Sequence, residues 1–149
     1  TTEWNYKSEL NWDLLRFDCH KMMQECVKDL NFLYQDEPAL HKLQFDPKGF
    51  EWVELDHRQE SVVAYLRKAQ NRKDDMLVVL NMTPVVRQDW KIRVKGKAGW
   101  KEVFNSDSKK YWGTGNVFNP EPTVKLVDKK ARIYEINIHL PALGGVIFR

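Results

Sequence analysis

Apolar residues recur every third or fourth position in the first part of the chain and every second position in the remainder. Between His20 and Tyr34, Met23, Cys26, Val27, Leu30, Leu33 and Tyr34 fall at the i, i+3, i+4, i+7 spacing of one helical face. The pattern predicts an amphipathic helix with Asp18 as its N-cap, Pro38 as its stop, and Lys21, Lys28 and Asp29 mainly on the other side. A lone helix of this length is marginal in water, so it requires a surface to pack against. Glu37-Pro38-Ala39-Leu40 reads as the turn that leaves it.

After Pro47-Lys48-Gly49 the period shortens. Strands are predicted at residues 50–55, 62–68, 76–82, 90–94, 100–104, 123–127, 132–140 and 145–148. Residues 71–75 and 128–130 suit hairpin connections, and Lys95-Gly96-Lys97-Ala98-Gly99 suits a tight reversal, which together indicate antiparallel pairing. Met76-Leu77-Val78-Val79-Leu80 is apolar throughout, as in a central strand covered on both faces. Tyr134, Ile136, Ile138 and Leu140 alternate with Glu135, Asn137 and His139, as in a strand with one wet face. The expected architecture is mainly β: a two-layer antiparallel β-sandwich with the helical segment docked on or beside it.

With 149 residues, 42% of them hydrophobic, the chain suffices for one domain, or one domain and part of another. The patterns divide it at residues 1–45 and 46–149. No apolar run approaches the roughly 20 residues of a membrane helix. Thr1-Thr2-Glu3-Trp4 has neither an initiator methionine nor a signal-peptide pattern, so the chain is expected to begin inside a longer protein. Cys19 and Cys26 are seven helical residues apart, about 10.5 Å, beyond the roughly 7 Å that a disulfide spans between Cα atoms. Two free cysteines favour a reducing, cytoplasmic setting.

The net charge is only +3. Lys91, Arg93 and Lys95 share one strand face while Trp90, Ile92 and Val94 share the other, so the basic run reads as a solvated face rather than a nucleic-acid footprint. Asp18-Cys19-His20 lacks a second ligand cluster, and no metal or cofactor is expected. Asp36 with Glu37, and Glu51 with Glu54, read as a solvated turn and edge-strand charges. His20, His41, His57 and His139 have no Ser or Cys in a recognisable nucleophile setting, and phosphate-loop, zinc and dinucleotide spacings are missing.

Glu3-Trp4-Asn5, Leu10-Asn11-Trp12, the 30–55 helix-to-strand crossing and Leu80-Asn81-Met82-Thr83-Pro84 occur in order. They are followed by Asn105-Ser106-Asp107-Ser108, Tyr111-Trp112-Gly113, Gly115-Asn116 and Leu140-Pro141-Ala142-Leu143. In order and spacing this series resembles the C-terminal stretch of the bacterial glycogen (1,4-α-glucan) branching enzymes of the α-amylase superfamily, glycoside hydrolase family 13. The resemblance implies that residues 1–45 are the end of a (β/α)8 barrel, with its last helix, and that 46–149 are the all-β C-terminal domain. Enzymes of this family cleave α-1,4-glucan through a carboxylate nucleophile and a carboxylic acid, then transfer the chain to a 6-hydroxyl to form α-1,6 branches in glycogen synthesis. Their catalytic carboxylates lie in barrel strands that this chain lacks, so it is expected to hold no catalytic residue and to be inactive alone. The implied partners are that barrel and an α-glucan such as glycogen, with no nucleic acid and no membrane.

The resemblance places Glu3 to Leu15 after the eighth barrel strand, on the active-site side, where Trp4, Asn5 and Trp12 would shape the glucan cleft or anchor the loop. Of the six tryptophans, Trp52, Trp90 and Trp100 are expected in the sheet core, whereas Trp112 lies in a glycine-rich loop suited to a glucan surface site or to packing on a neighbouring domain. Two classes of function stay open: a supporting domain of a branching enzyme, or an autonomous glucan-binding β-sandwich module. Removal of the barrel should leave the stripe at Met23, Cys26, Val27 and Leu30 exposed and prone to association, unless the helix folds onto the sheet.

Overall fold

A computed structural model describes residues 4–149, so Glu3 of the first motif lies outside it. The eight expected strands form, with ends shifted by a few residues: β1 (Phe50–Glu54), β2 (Val62–Arg67), β3 (Met76–Asn81), β4 (Arg87–Lys95), β5 (Glu102–Asn105), β6 (Thr123–Asp128), β7 (Ile133–Leu140) and β8 (Gly144–Phe148). One sheet runs β1-β2-β3-β8-β5 and the other β4-β7-β6, with every pairing antiparallel. Between them lies the core. Ala64, Leu66, Leu77, Val79, Val146 and Phe148 of the first sheet meet Ile92, Val94, Ile136, Ile138 and Leu140 of the second.

The alternation in β7 does what the sequence indicates. Ile136, Ile138 and Leu140 are fully buried, while Glu135, Asn137 and His139 remain partly open. The apolar run of β3 is central, and Met76 and Val78 are buried although they lie outside the inter-sheet core. Ala39 is also fully buried, and Arg67, paired with Met76 in register, donates through Nη2 to the Leu40 carbonyl at 3.1 Å. The segment around Ala39 therefore lies over the part of the five-stranded sheet's outer face at Arg67 and leaves the part at β1 open.

The connections at 71–75 and 128–130 join β2 to β3 and β6 to β7 as hairpins. Residues 95–99 do not close a hairpin: β4 and β5 belong to different sheets, so this reversal carries the chain across the sandwich. Gly96 supplies its positive φ of 95°. Lys97 Nζ then donates to the carbonyls of Lys73 and Asp75, at 2.8 and 2.9 Å, tying the crossing to the opposite sheet.

The first helix, α1, spans Asp18–Asp36, longer than its apolar stripe. Asp18 is not the N-cap; Phe17 holds that position, and Asp18 sits in the first turn, where its charge suits the helix dipole. Glu37 is extended, as the residue before a proline prefers, and Pro38 opens a short helix α2 (Pro38–His41) instead of the expected turn. Met22, Glu25, Cys26, Asp29 and Leu33 of α1 are half-buried, whereas Met23, Val27, Leu30 and Tyr34 are exposed. The predicted stripe thus splits over two faces: one rests on the sandwich and the other is free.

Buried asparagines fasten the loops. Asn81 donates to the carbonyls of Val85 (2.7 Å) and Pro141 (2.8 Å), and its Oδ1 accepts from the backbone N–H and hydroxyl of Thr83. Asn81→Ala should lower the unfolding free energy by about 2–4 kcal/mol, because two carbonyls lose their donor inside the protein. Urea melts should show Lys129→Ala, an exposed control, changing it by no more than about 0.5 kcal/mol.

Candidate functional site

Two surfaces hold the residues singled out from the sequence. Trp12 opens a 3-10 turn (Trp12–Arg16) and is 57% exposed. With Leu10, Leu15, Met23 and Val27 it lines a shallow apolar groove between the N-terminal segment and the free face of α1. Trp4 is 94% exposed with a positive φ of 59°, and neither it nor Asn5 lines this groove. Asn5 Oδ1 accepts from the Lys7 backbone N–H at 3.1 Å, which bends the segment locally.

Trp112 stands elsewhere, 61% exposed on a loop whose shape is set by Asp107. The two Asp107 carboxylate oxygens accept from the Thr114 N–H at 2.9 Å and its hydroxyl at 2.8 Å, and the Asp107 carbonyl accepts from Gly115 N–H at 2.7 Å. A side chain at Gly113 would strike the Asp107 backbone at 2.2 Å. Trp112 is left-handed (φ 70°), a strained setting for a bulky residue that the surrounding bonds enforce.

The same turn grips α1. Tyr111 stacks on Phe104, ring centroids 5.4 Å apart, and its hydroxyl donates to Asp29 Oδ2 at 2.5 Å; Lys110 Nζ bonds the same oxygen. The hydrogen bond from Lys110, then that from Tyr111, holds the Asp29 carboxyl below its ordinary range. Burial, followed by the bond to Asp29, pushes the Tyr111 hydroxyl well above its own. Nothing in the periodicity marked Asp29 for this role; its only sequence signal is a charged position beside Cys26 and Leu33 on the helix.

The other tryptophans divide. Trp100 is buried, with its ring N–H on the Lys97 carbonyl and the Lys97 ammonium 4.5 Å from the ring centroid. Trp90 packs against the core and donates to Glu54 Oε2 at 3.2 Å. Trp52 is not in the core: it is 52% exposed, because Phe50, Trp52 and Tyr65 share the outer face of β1 and β2.

The acidic pairs form no acid and nucleophile couple. Glu37 does not lie in a solvated turn; it is buried and receives Arg149 Nη1 at 2.9 Å. Glu51 pairs with Lys68 at 2.7 Å, and Glu54 faces inward between Trp90 and His57, 3.4 Å from His57 Nε2. Lys91, Arg93 and Lys95 are exposed, Arg93 reaching Glu135 at 3.3 Å. Both cysteines are free. Among the described residues no three His, Cys, Asp or Glu side chains converge for a metal, and no helix is long and apolar enough to cross a membrane.

Two antiparallel sheets with an appended, half-packed helix define an all-β sandwich domain that carries exposed aromatic rings. Residues 52–149 match the family described as "Alpha amylase, C-terminal all-beta domain", and the chain belongs to that family. The chain is 37% identical over 147 residues to a 1,4-alpha-glucan branching enzyme of Aquifex aeolicus, an alignment covering 99% of this chain and 23% of that protein. Branching enzymes of Rubrobacter xylanophilus and Methylococcus capsulatus are 41% and 40% identical, over 99% of this chain and 20% of their own length. The chain thus spans about a fifth of the length of the curated relatives it matches.

Burial raises the Glu54 carboxyl, an effect that the Trp90 bond and His57 only partly offset. A carboxyl raised on folding contributes stability that is full below its unfolded value, 4.5, and is lost as pH climbs through the folded value. Glu54→Gln keeps an acceptor for Trp90 and removes that loss. Denaturation between about pH 4 and pH 7 should therefore show the variant gaining on the parent as pH rises; a gap independent of pH would contradict this.

Proposed function

We propose that this chain is the C-terminal part of a 1,4-alpha-glucan branching enzyme, in which residues 1–45 complete the catalytic barrel and 46–149 form a supporting sandwich. The observation that carries the reading is the half-packed α1: its exposed Met23, Val27, Leu30 and Tyr34 form an apolar face suited to a barrel, beside relatives that continue for four-fifths of their length outside the match. Branching itself, cleavage of an α-1,4-glucan and transfer to a 6-hydroxyl, belongs to carboxylates of that barrel, and this chain contributes none of them. The substrate partner is α-glucan, and the two free cysteines favour a cytoplasmic location.

Within the whole enzyme, Trp4, Asn5 and Trp12 border the glucan cleft from the N-terminal segment. An aromatic face packs on the C–H face of a sugar, and an amide bonds its hydroxyls. Their exposure supports this. The second reading, an autonomous glucan-binding module, draws on Trp112, presented outward by a loop held rigid around Asp107.

Titration of the chain with maltoheptaose, followed by tryptophan fluorescence, separates the two. The supporting-domain reading predicts no saturable response up to millimolar sugar for the parent, Trp12→Ala and Trp112→Ala alike. Saturable binding lost only in Trp112→Ala would favour the autonomous module. In the full-length enzyme, Trp12→Ala should raise KM for glucan while leaving the unfolding midpoint unchanged.

A further inference from the structure

Trp52 reads as a core residue in the strand pattern yet lies half open, and it is not alone. Its ring meets Phe50 edge-on, centroids 4.8 Å apart at 86°, and Tyr65 at 5.9 Å and 81°; Phe50 and Tyr65 stack at 5.2 Å and 26°. The cluster occupies the outer face of the edge strand β1 and its neighbour β2. We propose that Phe50, Trp52 and Tyr65 are a second docking surface of the sandwich, occupied by the catalytic barrel of the same longer polypeptide.

Continuity argues for this occupant. Arg67, opposite Phe50 in register, bonds the Leu40 carbonyl of α2, and Gln44 just beyond α2 accepts from the Tyr34 hydroxyl at 2.5 Å. The aromatic cluster therefore lies on the same outer sheet face as the α2 segment, which runs directly into the free side of α1. A body seated on α1 has only to reach past α2 to cover Trp52. Relatives that match over 99% of this chain have four-fifths of their length outside the match, ample for such a body.

The cluster's shape argues against a sugar chain as the occupant. Phe50 and Tyr65 stack on one another and Trp52 stands edge-on to both, so the three rings form a knob rather than a coplanar row for successive glucose units. Its side-chain polar atoms are the Trp52 ring N–H and the Tyr65 hydroxyl, few for a ligand that must exchange many water hydrogen bonds. An edge-to-face aromatic knob suits interdigitation with apolar side chains.

The inference rests on the proposed branching-enzyme reading, and hydroxyl-radical footprinting of the unmodified full-length protein tests it. Peptide mass spectrometry compares oxidation of Trp52 with that of Trp100, a buried tryptophan of the same domain. Docking predicts that both oxidise at similar rates. Trp52 oxidising about sevenfold faster, the ratio of the 52% and 7% exposures, would overturn the proposal. So would protection that develops only with added maltoheptaose, which marks a glucan platform, or only at high protein concentration, which marks a second copy. A branching assay on the same preparation keeps the two readings apart: an active enzyme with an open Trp52 sinks the docking surface alone.

Discussion

Helix α1 carries apolar residues on two faces, and the sandwich covers only one. Asp29 is the pivot of the covered side, taking Lys110 and Tyr111 on a single carboxylate oxygen while Tyr111 is itself seated on Phe104 of β5. Two more ties follow along the chain: Glu37 to Arg149 at the far end of the sequence, and the Leu40 carbonyl to Arg67. Residues 112 positions apart are thus joined at the exit of the helix, so the helix moves with the sandwich. Met23, Val27, Leu30 and the Trp12 groove remain open, and the proposed barrel contact falls on this face.

The sandwich is suited to hold such a helix because its own core is apolar and its loops are fixed by buried polar side chains. Asn81 ties the β3 end to the turns after it and before β8; Asn105 and Asn119 share Glu102 and fix the passage from β5 to β7. Each such bracket leaves costly unpaired groups if broken; the 107–115 loop and its left-handed Trp112 are held separately, by the Asp107 bonds to Thr114 and Gly115.

Most of the fold was legible in the sequence, because a strand with one buried face must alternate and a helix must repeat. Ile136, Ile138 and Leu140 against Glu135, Asn137 and His139 illustrate the first, and β3 reads as central because both its faces are covered. Sheet membership was not legible: glycines at 96 and 99 mark a reversal, but only the burial of Trp100 and the reach of Lys97 decide that it crosses between layers. Trp52 and the helix stripe misled for a related reason. Apolar periodicity records which positions share a face, not what covers that face, so the exposed Trp52, Met23, Val27 and Leu30 read as core. Three of the four candidate site residues, Trp4, Trp12 and Trp112, stand out as aromatic, yet Trp12 lines the groove beside α1 and Trp112 does not, which spacing along the chain does not reveal.

Hydrogen exchange along α1 tests directly whether its free face is completed by the preceding part of a longer chain. Completion predicts that α1 amides exchange far more slowly in the full-length protein than in this chain, with β3 and β8 amides equally protected in both. Equal protection of α1 in the two proteins would contradict it, and would mean that the sandwich alone is the helix's intended partner.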